Sequence, residues 1–166
     1  MNESNGRTPD KITSGKNASH LLSTCLYFTA STLCRLITRM ADEEFRGVGL
    51  SPSHSFLLLL SQEHPGISQK EAAEYLNLAP STVSRFVDVL VFRGFIEKRE
   101  RGRLVLLFST EKGNAQCVDI RRAWASLYER YSDILGEEVG RELTRTIDGA
   151  NRRLADRMHR SFVTTG

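Results

Sequence analysis

From Ala18 onward apolar side chains recur at spacings of three and four, which is how one buried stripe of a helix is written in a sequence. Leu22, Leu26, Thr29, Leu33, Leu36 and Met40 form the first stripe and predict one long helix. Gly47 and Gly49 supply its stop near Arg46. Ser51 and Pro52 open a second helix, with Pro52 at the first helical position, where its missing N–H costs nothing. The run Phe56 to Leu60 fills nearly the whole circumference of that helix and marks it as core, and His64-Pro65-Gly66 breaks it.

Next, Ser68-Gln69-Lys70-Glu71 reads as a capping box, with the Ser68 hydroxyl accepting from the Glu71 N–H and the Glu71 carboxylate reaching back. A short helix follows with Ala72, Ala73 and Leu76 turned inward. Asn77-Leu78-Ala79 is a tight turn, and Pro80 starts another helix. Val83, Phe86, Val87, Leu90 and Val91 give that helix a core face; Ser81, Thr82, Ser84, Arg85 and Asp88 lie opposite. Two short helices around a tight turn, the second with small polar residues and an arginine in its outward N-terminal half, describe a helix-turn-helix. Gly94 ends it.

The period then drops to two. Phe95–Arg99 and Leu104–Phe108 are strand-type runs linked through Glu100-Arg101-Gly102-Arg103, a hairpin with a basic tip. Packed behind a helix-turn-helix, such a hairpin is a wing. Gly66-Ile67 is expected to add a third, very short strand. Thr110 caps a long helix with the stripe Cys117, Ile120, Trp124, Leu127, Tyr131 and Ile134. After Gly136 a last helix carries Val139, Leu143, Ile147, Ala150, Leu154 and Met158. The expected fold is mainly α with a small β-hairpin: a flexible tail over 1–17, an N-terminal helix over 18–50, a winged helix-turn-helix over 51–109 and C-terminal helices over 110–166.

Charge sharpens this picture. The net formal charge is only +3, yet Arg85–Arg103 holds six basic against three acidic residues and so accounts for all of it. A local excess of that kind suits a polyanion. Other chemistry is sparse. Three cysteines without a C-x-x-C pair argue against a disulfide framework or a thiolate zinc site, and point to a reducing cytoplasm. The four histidines lack metal-ligand spacing, so no metal or other cofactor is expected. No nucleophile motif, phosphate loop or carboxylate pair suggests an enzyme. The longest apolar run, five residues, falls far short of the roughly 20 that span a membrane. The first twenty residues also lack the apolar core of a secretory signal.

The stretch SQKEAAEYLNLAPSTVSRFVDVLVFRGFIEKR, followed by the basic hairpin and then STEKG opening a long helix, resembles the MarR family of winged-helix transcriptional regulators. The order of elements matches over residues 18 to 162. The wing here is shorter than the family's usual one. The resemblance implies terminal helices that build a homodimer and a protein that binds double-stranded DNA. It also implies an effector cavity between the dimer helices and the winged lobe.

The DNA-facing residues expected here are Ser68, Gln69, Pro80, Ser81, Thr82, Ser84 and Arg85 on the motif, with Lys98, Arg99, Arg101 and Arg103 on the wing. A helix fits the major groove, and arginine suits a narrow, A·T-rich minor groove. The implied cavity would be lined by Cys25, Phe28 and Thr29 with His54 and Phe56, and would take a small aromatic or amphipathic ligand. Cys25 is also placed like the reactive thiol of the family's peroxide-sensing branch, although the second helix lacks that branch's tyrosines. Three readings follow: a homodimeric DNA-binding regulator, a repressor released by a small ligand; a redox sensor acting through Cys25; or a winged-helix protein-interaction module without DNA binding.

Overall fold

The computed structural model describes residues 18–163, so the expected tail over 1–17 lies outside the described residues. The chain divides into two compact units at Glu43–Glu44. The first contains α1 (Ala18–Thr24) and nearly all of α2 (Leu26–Glu44).

The single long helix expected here is interrupted at Cys25. Local side chains supply the reason. Ser23 and Thr24 both donate to the His20 carbonyl, and Thr29 donates to the carbonyls of Cys25 and Leu26. Serine and threonine hydroxyls that compete for helix carbonyls loosen and bend the ladder. Of the predicted stripe, Leu22, Leu26 and Leu36 are exposed, while Leu33 and Met40 are half-buried.

The second unit opens with a 3₁₀ turn over Phe45–Val48, closed by Gly49 in the left-handed region (φ 71°). Ser51 caps α3 (Pro52–Glu63), accepting from the His54 N–H, with proline in the first turn as its sequence requires. Leu57 and Leu58 are fully buried; Phe56, Leu59 and Leu60 are half-buried, so the helix presents one edge outward. The strand β1 (Ile67–Ser68) leads into α4 (Gln69–Leu76), and Asn77, at a left-handed φ of 50°, turns the chain toward α5 (Pro80–Phe92). Asparagine tolerates that conformation better than most residues. On the predicted face of α5, Val83, Val87 and Leu90 are fully buried, while Phe86 and Val91 are half-buried.

The wing is β2 (Ile96–Arg101) and β3 (Leu104–Ser109), and the sheet runs β1-β3-β2, antiparallel throughout. Its link is shorter than the four residues expected. Arg101 pairs with Leu104, leaving only Gly102-Arg103 as the turn. Gly102 carries a φ of 63° while Arg103 does not enter positive φ, the pattern of a type II′ turn, whose twist suits a hairpin. Arg101 therefore belongs to a strand with a defined face.

Thr110 caps α6 (Glu111–Leu135) by accepting from the Gly113 N–H, while its own N–H and hydroxyl reach the Phe95 carbonyl. Gly113 is required here, because a Cβ would collide with the Phe95 carbonyl oxygen. Cys117, Ile120, Ala123 and Leu127 close the core from this side. Gly136 turns the chain into α7 (Glu137–Val163), where Gly140 packs on Tyr131. Among the described residues no helix is long and apolar enough to cross a membrane.

Candidate nucleic-acid interface

The motif helices are fixed before any ligand arrives. Ser68 Oγ accepts from the Glu71 N–H at 3.2 Å, and Glu71 Oε2 accepts from both the Ser68 N–H (2.9 Å) and its hydroxyl (2.7 Å). These bonds hold the Glu71 carboxyl below its usual range. Ser68 itself is buried, with its hydroxyl committed to the cap. Gln69 is half-buried at the first helical position.

Pro80 sets the entry of α5, and the N–H groups of Thr82 and Val83 both turn back to the Ala79 carbonyl. With Val83, Val87 and Leu90 anchored in the core, the opposite face presents Pro80, Ser81 and Arg85 to solvent; Thr82 and Ser84 are half-buried beside them. Arg85 has no ion-pair partner among the described residues, so its guanidinium remains available.

The four basic wing residues separate into two pairs. Lys98 bonds Asp88 on α5 at 2.8 Å, bracing the wing against the reading helix. Arg99 lies 4.3 Å above the Phe108 ring and 3.4 Å from Glu97. Both side chains are engaged within the protein. Arg101 and Arg103, at the tip, are exposed and unpaired among the described residues. Among these residues the cations without an ion-pair partner among the described residues are Arg85, Arg101 and Arg103.

Cys25 and Phe28 are exposed in the first unit. His54 and Phe56 stand two apart on α3, a spacing that aims side chains to different sides of a helix. The His54 ring rests on Phe86 of α5, centroids 4.4 Å apart, with Nδ1 2.6 Å from Ser51 Oγ. Its Nε2 is buried and has no hydrogen-bond partner among the described residues. Burial, and then the nearby Arg93 guanidinium, push the His54 pKa below the ordinary imidazole value. Phe56 instead meets Trp124 of α6 edge-on at 4.4 Å. It lines a cleft of about 530 Å³ with Leu59, Leu60, Tyr75, Leu76 and Trp124, and the Glu63–Arg121 ion pair (3.0 Å) stands at its edge.

Sequence patterning missed Tyr75, Leu76, Trp124 and Arg121 as cleft residues. Trp124 sits on a core stripe, and only Tyr75, an aromatic among the glutamates of α4, departs from pattern in a way that could have signalled it. Of the remaining cysteines, Cys34 is exposed and Cys117 is buried, its thiol pushed up in pKa by desolvation.

The model described as MarR family matches residues 48–103. No curated protein matches the chain's sequence. Among solved structures, the transcriptional repressor CouR bound to a 23-mer DNA duplex is 21% identical, covers 82% of this chain and 99% of its own, and superposes with a TM-score of 0.75. CouR from Rhodococcus jostii RHA1 bound to p-coumaroyl-CoA is 23% identical over 78% of this chain and 93% of its own, at TM-score 0.69. A protein from Listeria monocytogenes, described as a MarR family regulator and complexed with 26mer DNA, is 23% identical over 79% and 89% of the two chains, at TM-score 0.68. At these identities the likeness establishes the fold, and that fold is the winged helix-turn-helix read from the sequence.

Proposed function

We propose that this chain, whose residues 48–103 form a MarR-family winged helix-turn-helix domain, is a transcriptional repressor. It acts as a homodimer on a pseudo-palindromic stretch of double-stranded DNA. The observation that carries this reading is the position of Arg85, Arg101 and Arg103. The chain's excess positive charge lies in their stretch of sequence, and these three guanidiniums are unengaged on the reading helix and the wing tip. A protein-interaction module has no need to gather its charge in this way. The CouR and Listeria structures, each described with a DNA duplex, support the same reading.

The effector is a small aromatic or amphipathic ligand, and an apolar cleft that could take it is the one lined by Phe56 and Trp124. Tyr75 and Leu76 give that cleft a wall on α4, so an occupant bears directly on the helix-turn-helix. Apolar clefts with a few polar groups are the usual small-molecule sites, and CouR, described with p-coumaroyl-CoA, is of this fold. To invert the bound population from 99:1 to 1:99, the ligand must favour the non-binding arrangement by about 5.5 kcal/mol.

The test is titration of the full chain against duplexes selected from a random pool, with Arg85→Ala in parallel. Enrichment of one sequence, and its loss of preference in the variant, supports the reading. Equal affinity for every duplex by both proteins refutes it.

A further inference from the structure

The C-terminal end of α5 is held by side chains from distant parts of the chain. Gly94, at a left-handed φ of 73°, stops the helix, and the Phe95 N–H closes back on the Leu90 carbonyl. Two carbonyls just beyond accept from the start of α6. Lys112 Nζ donates to the Arg93 carbonyl at 2.8 Å, and the Thr110 hydroxyl donates to the Gly94 carbonyl at 2.7 Å. Arg93 reaches the other way, donating from Nη1 to the carbonyl of Gly49, the residue that closes the 3₁₀ turn. Its guanidinium and the Lys112 ammonium stand over one ring, that of buried Phe95, at 5.2 and 4.8 Å from its centre. Neither cation has an ion-pair partner among the described residues.

The apolar core leaves one motion of α5 free. Val83, Val87 and Leu90 set how deep the helix sits, but apolar contact is non-directional and lets a helix pivot about its buried stripe. Hydrogen bonds weaken steeply off their axis, so three of them gathered at one end oppose that pivot. Cations also suit the negative end of a helix dipole. This clasp lies where the reading helix meets α6, and α6 runs through Gly136 into α7, whose Val139, Ile147 and Leu154 are exposed. It thus joins the helix proposed to read DNA to the one that needs a second copy for cover. We propose that Arg93 and Lys112 are positioning residues for DNA reading: they fix the angle between α5 and α6, and with it the spacing of the two reading helices in the homodimer. This inference rests on the homodimeric DNA-binding reading. Both residues act through α5 and neither touches DNA.

The probes are duplexes built from the sequence enriched out of a random pool. One carries a single half-site, one carries both at their selected spacing, and two more have one base pair added or removed between them. Arg93→Met and Lys112→Met keep an apolar stem over Phe95 and remove the donor. Each is expected to bind the single half-site as wild type does, and to lose about tenfold on the two-site duplex because its reading helices are less preorganised. The preference for the selected spacing, sharp in wild type, is expected to shrink to about twofold in both variants. Lys112→Arg retains wild-type behaviour, since it donates to the same carbonyl. The salt slope is unchanged in all three, because no phosphate contact is lost. Lys112 is exposed, so its replacement keeps the fold, which circular dichroism checks. Equal losses on single and two-site duplexes with the spacing preference intact, a lower salt slope, or wild-type behaviour in both Met variants would each overturn this inference and leave the DNA-binding reading standing. A wild-type chain that enriches no duplex would overturn that reading with it.

Discussion

Helices α5 and α7 carry apolar stripes of similar regularity and treat them oppositely. In α5 the stripe residues Val83, Val87 and Leu90 are wholly buried, enclosed by α3, α4 and the sheet. In α7 the stripe residues Val139, Ile147 and Leu154 are 55%, 39% and 57% exposed. Among the described residues of the second unit, α6 packs against that helix, and α6 itself leaves Ile134 and Leu135 exposed. A stripe in a sequence says that one face requires cover; it does not say whether the cover comes from the same chain. Contiguous exposed apolar surface of this kind is rare on monomers, and the homodimer proposed above supplies what α7 lacks.

The largest expected effect separates the two regions by stability. Leu57→Ala removes a fully buried side chain and is expected to cost about 2–5 kcal/mol in urea unfolding. Leu154→Asp is expected to leave the winged lobe folded, by circular dichroism, while sedimentation at micromolar concentration shifts from dimer to monomer. A wild-type monomer at that concentration would mean that α7 is covered by nothing.

Binding gives the next effect. Arg85→Ala is expected to cost about 1–3 kcal/mol and relax preference at one base position. Leu154→Asp keeps that reading helix intact but loses the advantage of a two-half-site duplex over a single half-site. Equal advantage in both proteins would break the link drawn between the stripe and DNA reading.

A smaller effect belongs to the lobe alone. Because the folded-state pKa of His54 is depressed, the folded protein favours its neutral form. The associated stability is present above the ordinary imidazole value and is lost as pH falls through the lower folded value. Urea midpoints are expected to drop between about pH 7.5 and about pH 5, and to drop less in His54→Gln. Parallel curves for the two proteins would show that His54 contributes nothing to the slope. The smallest effect concerns Cys25: with a non-covalent effector, peroxide leaves DNA binding equal in wild type and Cys25→Ser. Release of wild type alone would restore the redox reading.

Much of this was legible in the sequence because it was local. The Ser68–Glu71 box, the proline entries of α3 and α5, the Thr110 cap and the period-two wing each depend on residues within a few positions. The break at Cys25 was not legible from apolar periodicity, since it arises from hydroxyls that donate to helix carbonyls. The division of the wing cations was also hidden. Lys98 and Arg99 are engaged by Asp88 and Phe108, partners that sequence distance does not reveal. The cleft beside Trp124 depends on three helices meeting, and no spacing along one of them announces it.

The most direct test of the central claim is footprinting of the full chain on duplexes selected from a random pool. The account predicts one enriched pseudo-palindrome, protected by one dimer, with half-sites about 10 base pairs apart, centre to centre. A single unrepeated site protected by one chain, or no enrichment at all, would contradict it.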